Sequence, residues 1–193
     1  MIPKEQLTTV ILAGGKSRRM GTDKAFLHLE GKAFIERILH IAKGITQDVL
    51  VIANTTAYES LGVPVYSDLV EDCGPVGGIY TAMKRVTTPY LLVLSCDIPL
   101  LEISVLEHLI ANSISCDANI LTTQERWQPL TAIYDRRTSP IFKKALDTKK
   151  LKLRSLLSSM QLHTIACPDF LIPCLNNINT PDDLKKVRDG YKN

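Results

Sequence analysis

Short apolar runs alternate along the chain with stretches in which apolar residues recur at helical spacing. The runs predict strands over 10–13, 48–53, 63–66, Tyr90–Ser95, Ala118–Thr123 and 130–134. The helical spacing predicts helices over 31–45 and 139–146, and further helices that begin near Gly74, Glu102 and Pro181. This alternation is typical of a mostly parallel sheet covered on both faces. We therefore expect an α/β protein with a single three-layer α/β/α domain over residues 1–193.

The segment 8–24, TTVILAGGKSRRMGTDK, joins the first predicted strand to a glycine turn that is rich in cations. Gly14 and Gly15 let the backbone approach a ligand closely, because neither carries a side chain. The cations that follow are Lys16, Arg18, Arg19 and Lys24. Backbone amides and positive charges that face one anion favour a polyphosphate site. The alternative interpretation is a solvated basic turn.

Two other phosphate-binding motifs do not match this segment. A Walker A loop needs a glycine five positions before Gly15, where this chain has Val10. The dinucleotide fingerprint G-x-G-x-x-G is also absent from the sequence.

The letters L-A-G-G-K-S-R-R-M-G-x-D-K-A resemble the signature loop of nucleotidyltransferases, and most of all that of the molybdenum cofactor guanylyltransferases of the MobA family. The resemblance covers residues 8–100 well and 176–184 moderately. It implies a Rossmann-like nucleotidyltransferase fold whose N-terminal half binds a nucleotide and whose C-terminal half binds the acceptor. It also implies a Mg²⁺-dependent reaction in which GTP and molybdopterin give the guanine dinucleotide cofactor and pyrophosphate.

The same resemblance implies roles for particular residues. Those expected at the nucleotide are Leu12, Ala13, Gly14, Gly15, Lys24, Asn54, Asp68, Gly74, Gly78 and Asp97. Those expected to act in catalysis are Arg18, Arg19, Lys24 and Asp97, with Asp97 as the metal ligand. Related enzymes can carry asparagine where Ile52 stands here, and Asn54 is the candidate to replace it.

Asp97 also stands out from the residues themselves. It follows Tyr90–Ser95, the strongest predicted strand, so it lies at the carboxyl edge of the sheet, opposite the glycine turn. A carboxylate there is well placed to hold Mg²⁺. The alternative is a cap for the helix that begins near Glu102. Cys96 is interpreted as a buried thiol and not as a nucleophile.

Asp68 and the glycines after it are open to two interpretations. Asp68 follows the strand over 63–66 and is either a ligand contact or a loop cap. Gly74 and Gly78 either begin a helix or leave room beside a flat base.

The second half of the chain gives weaker signals for an acceptor site. Candidate acceptor contacts are Lys150, Asn177 and Asn179. Lys150 belongs to a basic cluster with Lys149, Lys152 and Arg154, and such a cluster is otherwise a solvated helix flank. Trp127 either faces the acceptor or packs in the core. Thr180 is predicted to cap the last helix.

Composition restricts the class of protein. The net charge of +3 is too small to indicate a nucleic-acid partner, and no apolar run is long enough to span a membrane. The five cysteines include no C-x-x-C pair, which favours reduced thiols in the cytoplasm and argues against a zinc site. The resemblance also implies transient contacts with proteins of cofactor biosynthesis or molybdoenzyme maturation. The alternatives are a cytidylyltransferase of the same cofactor, a sugar-phosphate nucleotidyltransferase and a nucleotide-binding regulatory protein without turnover.

Overall fold

The structure is a computed structural model that describes residues 1–14, 23–124 and 126–190. Its strands are β1 Leu7–Leu12, β2 His28–Leu29, β3 Lys32–Ala33, β4 Val49–Ile52, β5 Val65–Tyr66, β6 Tyr90–Ser95, β7 Ala118–Thr123, β8 Arg126–Asp135 and β9 Leu162–Ala166. Its helices are α1 Phe34–Ile45, α2 Gly74–Arg85, α3 Ile103–Ala111, α4 Ser139–Asp147, α5 Leu153–Leu157 and α6 Pro181–Gly190. The predicted mixed α/β class is confirmed.

Seven strands form one sheet in the order β5-β4-β1-β6-β8-β7-β9. Among the described strands of this sheet, β8 alone runs antiparallel to its neighbours. The chain moves outward from β1 to β4 and β5 and then returns to the other side of β1 with β6. The carboxyl ends of β1 and β6 therefore flank a topological switch point, where open α/β sheets bind ligands.

The register makes the ends of four parallel strands level. Leu12 at the end of β1 pairs with Ile52 on one side and with Ser95 on the other. Ile52 in turn pairs with Tyr66 at the end of β5. The loops that leave β1, β4, β5 and β6 therefore begin at one edge of the sheet.

Both faces of the sheet are covered by helices. On β6, Leu92 and Leu94 belong to the core that includes α1 and α3, whereas Leu91 and Val93 belong to the core that includes α2 and α4. All four side chains are fully buried. A strand buried on both faces appears as a continuous apolar run, which is why the sequence predicted β6 with its correct bounds.

The prediction of a helix over 31–45 is wrong at its beginning. Glu30 and Gly31 have positive φ angles of 50° and 78° and form the turn of a small hairpin between β2 and β3. Helix α1 begins only at Phe34, where the Glu36 carboxylate accepts a hydrogen bond from the Ala33 backbone N–H at 2.8 Å. The apolar spacing predicted the helix itself correctly, but it did not reveal the hairpin that precedes α1.

Three differences lie in the second half. Strand β8 is longer than the predicted 130–134. Its first residues were not predicted, because they are at most partly buried and form no apolar run. Strand β9 was not predicted, since Ile165 is its one buried residue. The basic stretch near Lys152 leads into the short helix α5.

The predicted cap of α6 is confirmed. The Asp183 backbone N–H donates to Thr180 Oγ1 at 3.1 Å, and the Asp183 carboxylate accepts from the Thr180 N–H at 2.9 Å. Leu184 of this helix packs with Leu29, Phe34 and Ile178 in a small third core. No helix in the described part of the chain has the length and apolar character needed to cross a membrane.

Leu92→Ala should lower the free energy of unfolding by about 2–5 kcal/mol, because it opens a cavity in a strand that is packed on both faces. Ile114→Ala is the control, since that side chain is 48% exposed and should change stability by less than about 0.5 kcal/mol. Urea unfolding of both variants measures the difference. Equal effects would show that β6 is not at the centre of the core.

Candidate active site

A cavity of about 450 Å³ opens at the level edge of the sheet. Among the described residues it is lined by Leu12, Ala13, Gly14, Asp23, Lys24, Ile52, Asn54, Asp68, Asp72, Gly74, Pro75, Gly78, Ser95, Cys96, Asp97 and Leu130. Every residue that the sequence predicted at the nucleotide and that the structure describes is in this set. Gly15, Arg18 and Arg19 lie outside the described residues.

Gly14 forms the wall of the cavity directly after β1. Its φ angle is +82°, a backbone conformation that residues with a side chain rarely adopt, so the turn requires glycine at this position. The chain enters the next described segment at Asp23, which lines the same cavity.

Lys24 brings a cation to the cavity and is held from the far end of the chain. Its Nζ donates a hydrogen bond to Asn179 Oδ1 at 2.7 Å. Asn179, predicted as an acceptor contact, is thus joined to the predicted catalytic lysine. Asn177 is exposed, and none of the three candidate acceptor contacts, Lys150, Asn177 and Asn179, lines the cavity.

Asp97 follows β6, the neighbour of β1 in the sheet, and lines the same cavity as Gly14. Ser95 Oγ donates to Asp97 Oδ1 at 2.6 Å, and the Asp97 carbonyl accepts from the Ile178 N–H at 2.8 Å. Helix α3 begins at Ile103 with Glu102 as its N-cap residue, so Asp97 does not cap it. The half-buried carboxylate remains available to a ligand or a metal.

Asp23 is a functional candidate that the sequence analysis did not single out, although it stands in the G-x-D-K run. Its carboxylate accepts from Tyr58 Oη at 2.6 Å and from the Ala25 N–H at 3.1 Å. The only sequence signal was its place beside Lys24. The partner Tyr58 could not be identified, because it belongs to a different part of the chain.

The other end of the cavity is formed by residues that follow β4 and β5. Asn54 Nδ2 donates to Asp68 Oδ2 at 3.0 Å, and the Asp68 N–H donates to Asn54 Oδ1 at 2.8 Å. Asp68 Oδ1 is buried and makes no hydrogen bond to a described residue. Burial raises the pKa of this carboxyl group, and the nearby Asn54 and Thr81 side chains oppose the shift.

Glycine at position 78 lets α2 pack closely against Leu12 and Asp68. A Cβ atom at this position would lie 3.0 Å from Leu12 Cδ2 and 3.7 Å from Asp68 Oδ1. Gly74 begins α2 with a φ angle of +55°. Both glycines line the cavity at the start of α2, and the interpretation that they leave room for a base stays a prediction.

Cys96 is buried, and its pKa is raised to about 12, first by burial and then by the Asp97 carboxylate. A thiol of this kind remains protonated near neutral pH. This environment supports the interpretation of Cys96 as a packing residue.

The residues that line the cavity suit a magnesium ion that also binds substrate phosphates, and not a metal that is held by protein ligands alone. Asp97 and Asp23 bring two carboxylates to one cavity. Within the described ranges no cluster of three or more histidine, cysteine, aspartate or glutamate side chains could hold a metal on its own. Magnesium is usually held by one or two carboxylates together with substrate phosphates, and this donor set suits that mode.

Comparison with known proteins agrees with this geometry. Residues 9–165 match the family model described as "MobA-like NTP transferase domain". A probable molybdenum cofactor guanylyltransferase from Flavobacterium johnsoniae is 36% identical over 184 residues, covering 95% of this chain and 97% of that protein. A protein with the same description from Carboxydothermus hydrogenoformans is 34% identical and covers 95% of each chain.

A solved structure gives the same relationship at the level of the fold. The crystal structure of molybdopterin-guanine dinucleotide biosynthesis protein A from Archaeoglobus fulgidus superposes with a TM-score of 0.83 at 25% identity. The superposition covers 96% of this chain and 98% of the Archaeoglobus fulgidus chain.

Cys96 should resist alkylation at pH 8. Its pKa of about 12 leaves only about one thiol in 10⁴ as the reactive thiolate at this pH. Cys73, which is partly exposed, is the internal comparison and should be modified first. Peptide mapping after brief treatment of the native protein with iodoacetamide measures both sites. Rapid modification of Cys96 would contradict the buried-thiol interpretation.

Proposed function

The chain belongs to the MobA-like NTP transferase family and is a nucleotidyltransferase, and on that premise we propose that it transfers GMP from GTP to molybdopterin. The products are the guanine dinucleotide form of the cofactor and pyrophosphate. One observation carries the proposal: a single cavity is lined by Lys24 and Asp97 and also by the Asn54–Asp68 pair, which follows β4 and β5 on the opposite side of β1 from β6. This arrangement fits a nucleoside triphosphate that spans the switch point.

At the phosphate end the reaction is an in-line displacement at the α-phosphorus. A phosphate oxygen of the acceptor forms the new bond, and the bond from the α-phosphorus to the bridging oxygen breaks as pyrophosphate leaves. The acceptor phosphate is already anionic, so the protein needs to position the reactants and offset charge. Gly14 and Gly15 hold phosphate by their backbone amides, while Arg18, Arg19 and Lys24 stabilise the departing pyrophosphate.

Asp97 is the proposed Mg²⁺ ligand, and Asp23 is placed to assist it. When bound, Mg²⁺ supplies positive charge that offsets the negative charge of the phosphates. Two carboxylates beside a triphosphate would repel it in the absence of such a cation. The carboxylates at this end therefore support a metal-dependent reaction.

At the base end the Asp68 carboxylate favours guanine. Guanine presents two neighbouring donors, N1–H and the 2-amino group, and a carboxylate accepts two such hydrogen bonds side by side. Adenine presents an acceptor at N1 and would leave a carboxylate oxygen unpaired. Asp68 lines the cavity, which supports its proposed role as the acceptor for these two donors.

The acceptor is proposed to bind toward the C-terminal half of the chain. Leu130 of β8 lines the cavity, and near the start of the same strand the Arg154 guanidinium lies 5.3 Å from the ring centre of Trp127. Lys150 and Asn177 lie outside the cavity lining, so they would contact only parts of an acceptor that extend beyond it. The reaction is placed in the cytoplasm, with transient contacts to proteins that supply or receive the cofactor.

GTP should be used at least about tenfold better than CTP or ATP, since each buried polar group left unpaired costs about 1–3 kcal/mol. Asp68→Asn should reduce this preference, because the amide keeps only one acceptor atom. Asp147→Asn, on the surface at the end of α4, is the control. The measurement is kcat/KM for each nucleotide with molybdopterin as acceptor. Equal or better use of CTP would support the cytidylyltransferase alternative.

Asp97→Asn should lower turnover by at least about 10²-fold at low Mg²⁺ and leave the fold intact, because it removes charge from a ligand site at the edge of the sheet. Pyrophosphate release across a Mg²⁺ titration measures the effect, and the melting temperature serves as the control for folding. Wild-type turnover by this variant at low Mg²⁺ would exclude the metal-ligand role.

A further inference from the structure

Tyr58 is buried beside the phosphate end of the cavity, although it does not line it. It belongs to the short 3₁₀ segment Thr56–Leu61 that follows β4. Its ring is fully buried and packs against Phe26, with ring centres 4.9 Å apart. Its hydroxyl group is directed at Asp23, where the two oxygen atoms are 2.6 Å apart.

The hydroxyl group is the donor in this contact, and the Asp23 carboxylate is the acceptor. A hydrogen bond from a buried hydroxyl to a carboxylate is short and strong, so it fixes the position of the Asp23 side chain.

Asp23 transmits this position to Lys24. Its other carboxylate oxygen accepts from the Ala25 N–H at 3.1 Å, and its carbonyl accepts from the Phe26 N–H at 3.1 Å. These bonds form the 3₁₀ turn Lys24–Phe26, in which Lys24 is the first residue. The direction of the lysine side chain is therefore set by a turn that Asp23 holds in place.

The second restraint on Lys24 comes from Asn179, whose side chain accepts from Nζ.

We propose that Tyr58 is a positioning residue for catalysis: its hydroxyl group, acting through Asp23, holds Lys24 where it stabilises the departing pyrophosphate. The role assigned to Lys24 rests on the function proposed above. The contacts that hold the lysine turn are properties of the structure itself. The competing explanation is that Tyr58 serves only to fill the core against Phe26.

Tyr58→Phe separates these explanations, because it keeps the ring and removes only the hydroxyl group. We expect kcat to fall about 10- to 100-fold, as a small misplacement of a catalytic group can cause, with a much smaller change in KM for GTP. Tyr90→Phe is the matched control: its hydroxyl makes a 3.4 Å contact to Ser115 Oγ at the opposite edge of the sheet. That variant should keep wild-type kinetics.

A double-mutant cycle tests whether the effect passes through Lys24. In a Lys24→Ala background, Tyr58→Phe should lower kcat by less than about threefold, because the group that it positions is already gone. A loss as large as in the wild-type background would show that Tyr58 acts independently of the lysine and would overturn the proposal. Wild-type kcat for Tyr58→Phe alone would overturn it as well.

Hydrogen exchange provides a readout that does not depend on the reaction. In Tyr58→Phe the amides of Ala25 and Phe26 should exchange faster than in wild-type protein and in Tyr90→Phe, while β6 amides are unchanged. Unchanged exchange at these amides would refute the proposed link. If wild-type protein transfers nothing from GTP but this difference appears, the proposed function fails and the positioning contact stands.

Discussion

The parallel register of β1, β4, β5 and β6 is the constraint on which the site depends. Because Leu12 is level with both Ile52 and Ser95, the residues that follow each strand start from one edge. A shift of one strand by a single residue would exchange its two buried faces and move its loop out of line. The register is fixed by packing on both faces, so the hydrophobic core determines where the polar groups meet.

The chemistry of the cavity then depends on how negative groups are held near a site for a polyanion. Asp97 is held by the Ser95 hydroxyl, and Asp23 by Tyr58 and by backbone amides. Lys24 is held by a neutral amide, so its charge is not cancelled by a carboxylate partner in that contact. Neutral donors and acceptors thus fix the charged groups and leave their charges for substrate and metal.

The sequence predicted the parts of this site that depend on local patterns. Continuous apolar runs marked β4 and β6, and Asp97 could be placed because it follows such a run, whereas Asn54 was named from the resemblance to related enzymes. Asp23, Tyr58 and their hydrogen bond escaped notice, because side-chain pairing between residues 35 positions apart leaves no periodic signal. The β2–β3 hairpin was missed for a related reason: strands this short carry no alternation that a pattern could reveal.

The site is also where the fold accepts unfavourable local features. Among the buried side-chain atoms of the described residues, Asp68 Oδ1 and Ser139 Oγ are the ones that lack a hydrogen-bond partner. Gly14 and Gly74 have positive φ angles, and glycine at position 78 lets α2 lie close to Leu12. A buried carboxylate oxygen without a partner costs stability, and here it belongs to a residue that lines the cavity. This cost at a cavity residue is the physical reason to propose Asp68 for the base site and not the better satisfied polar groups around it.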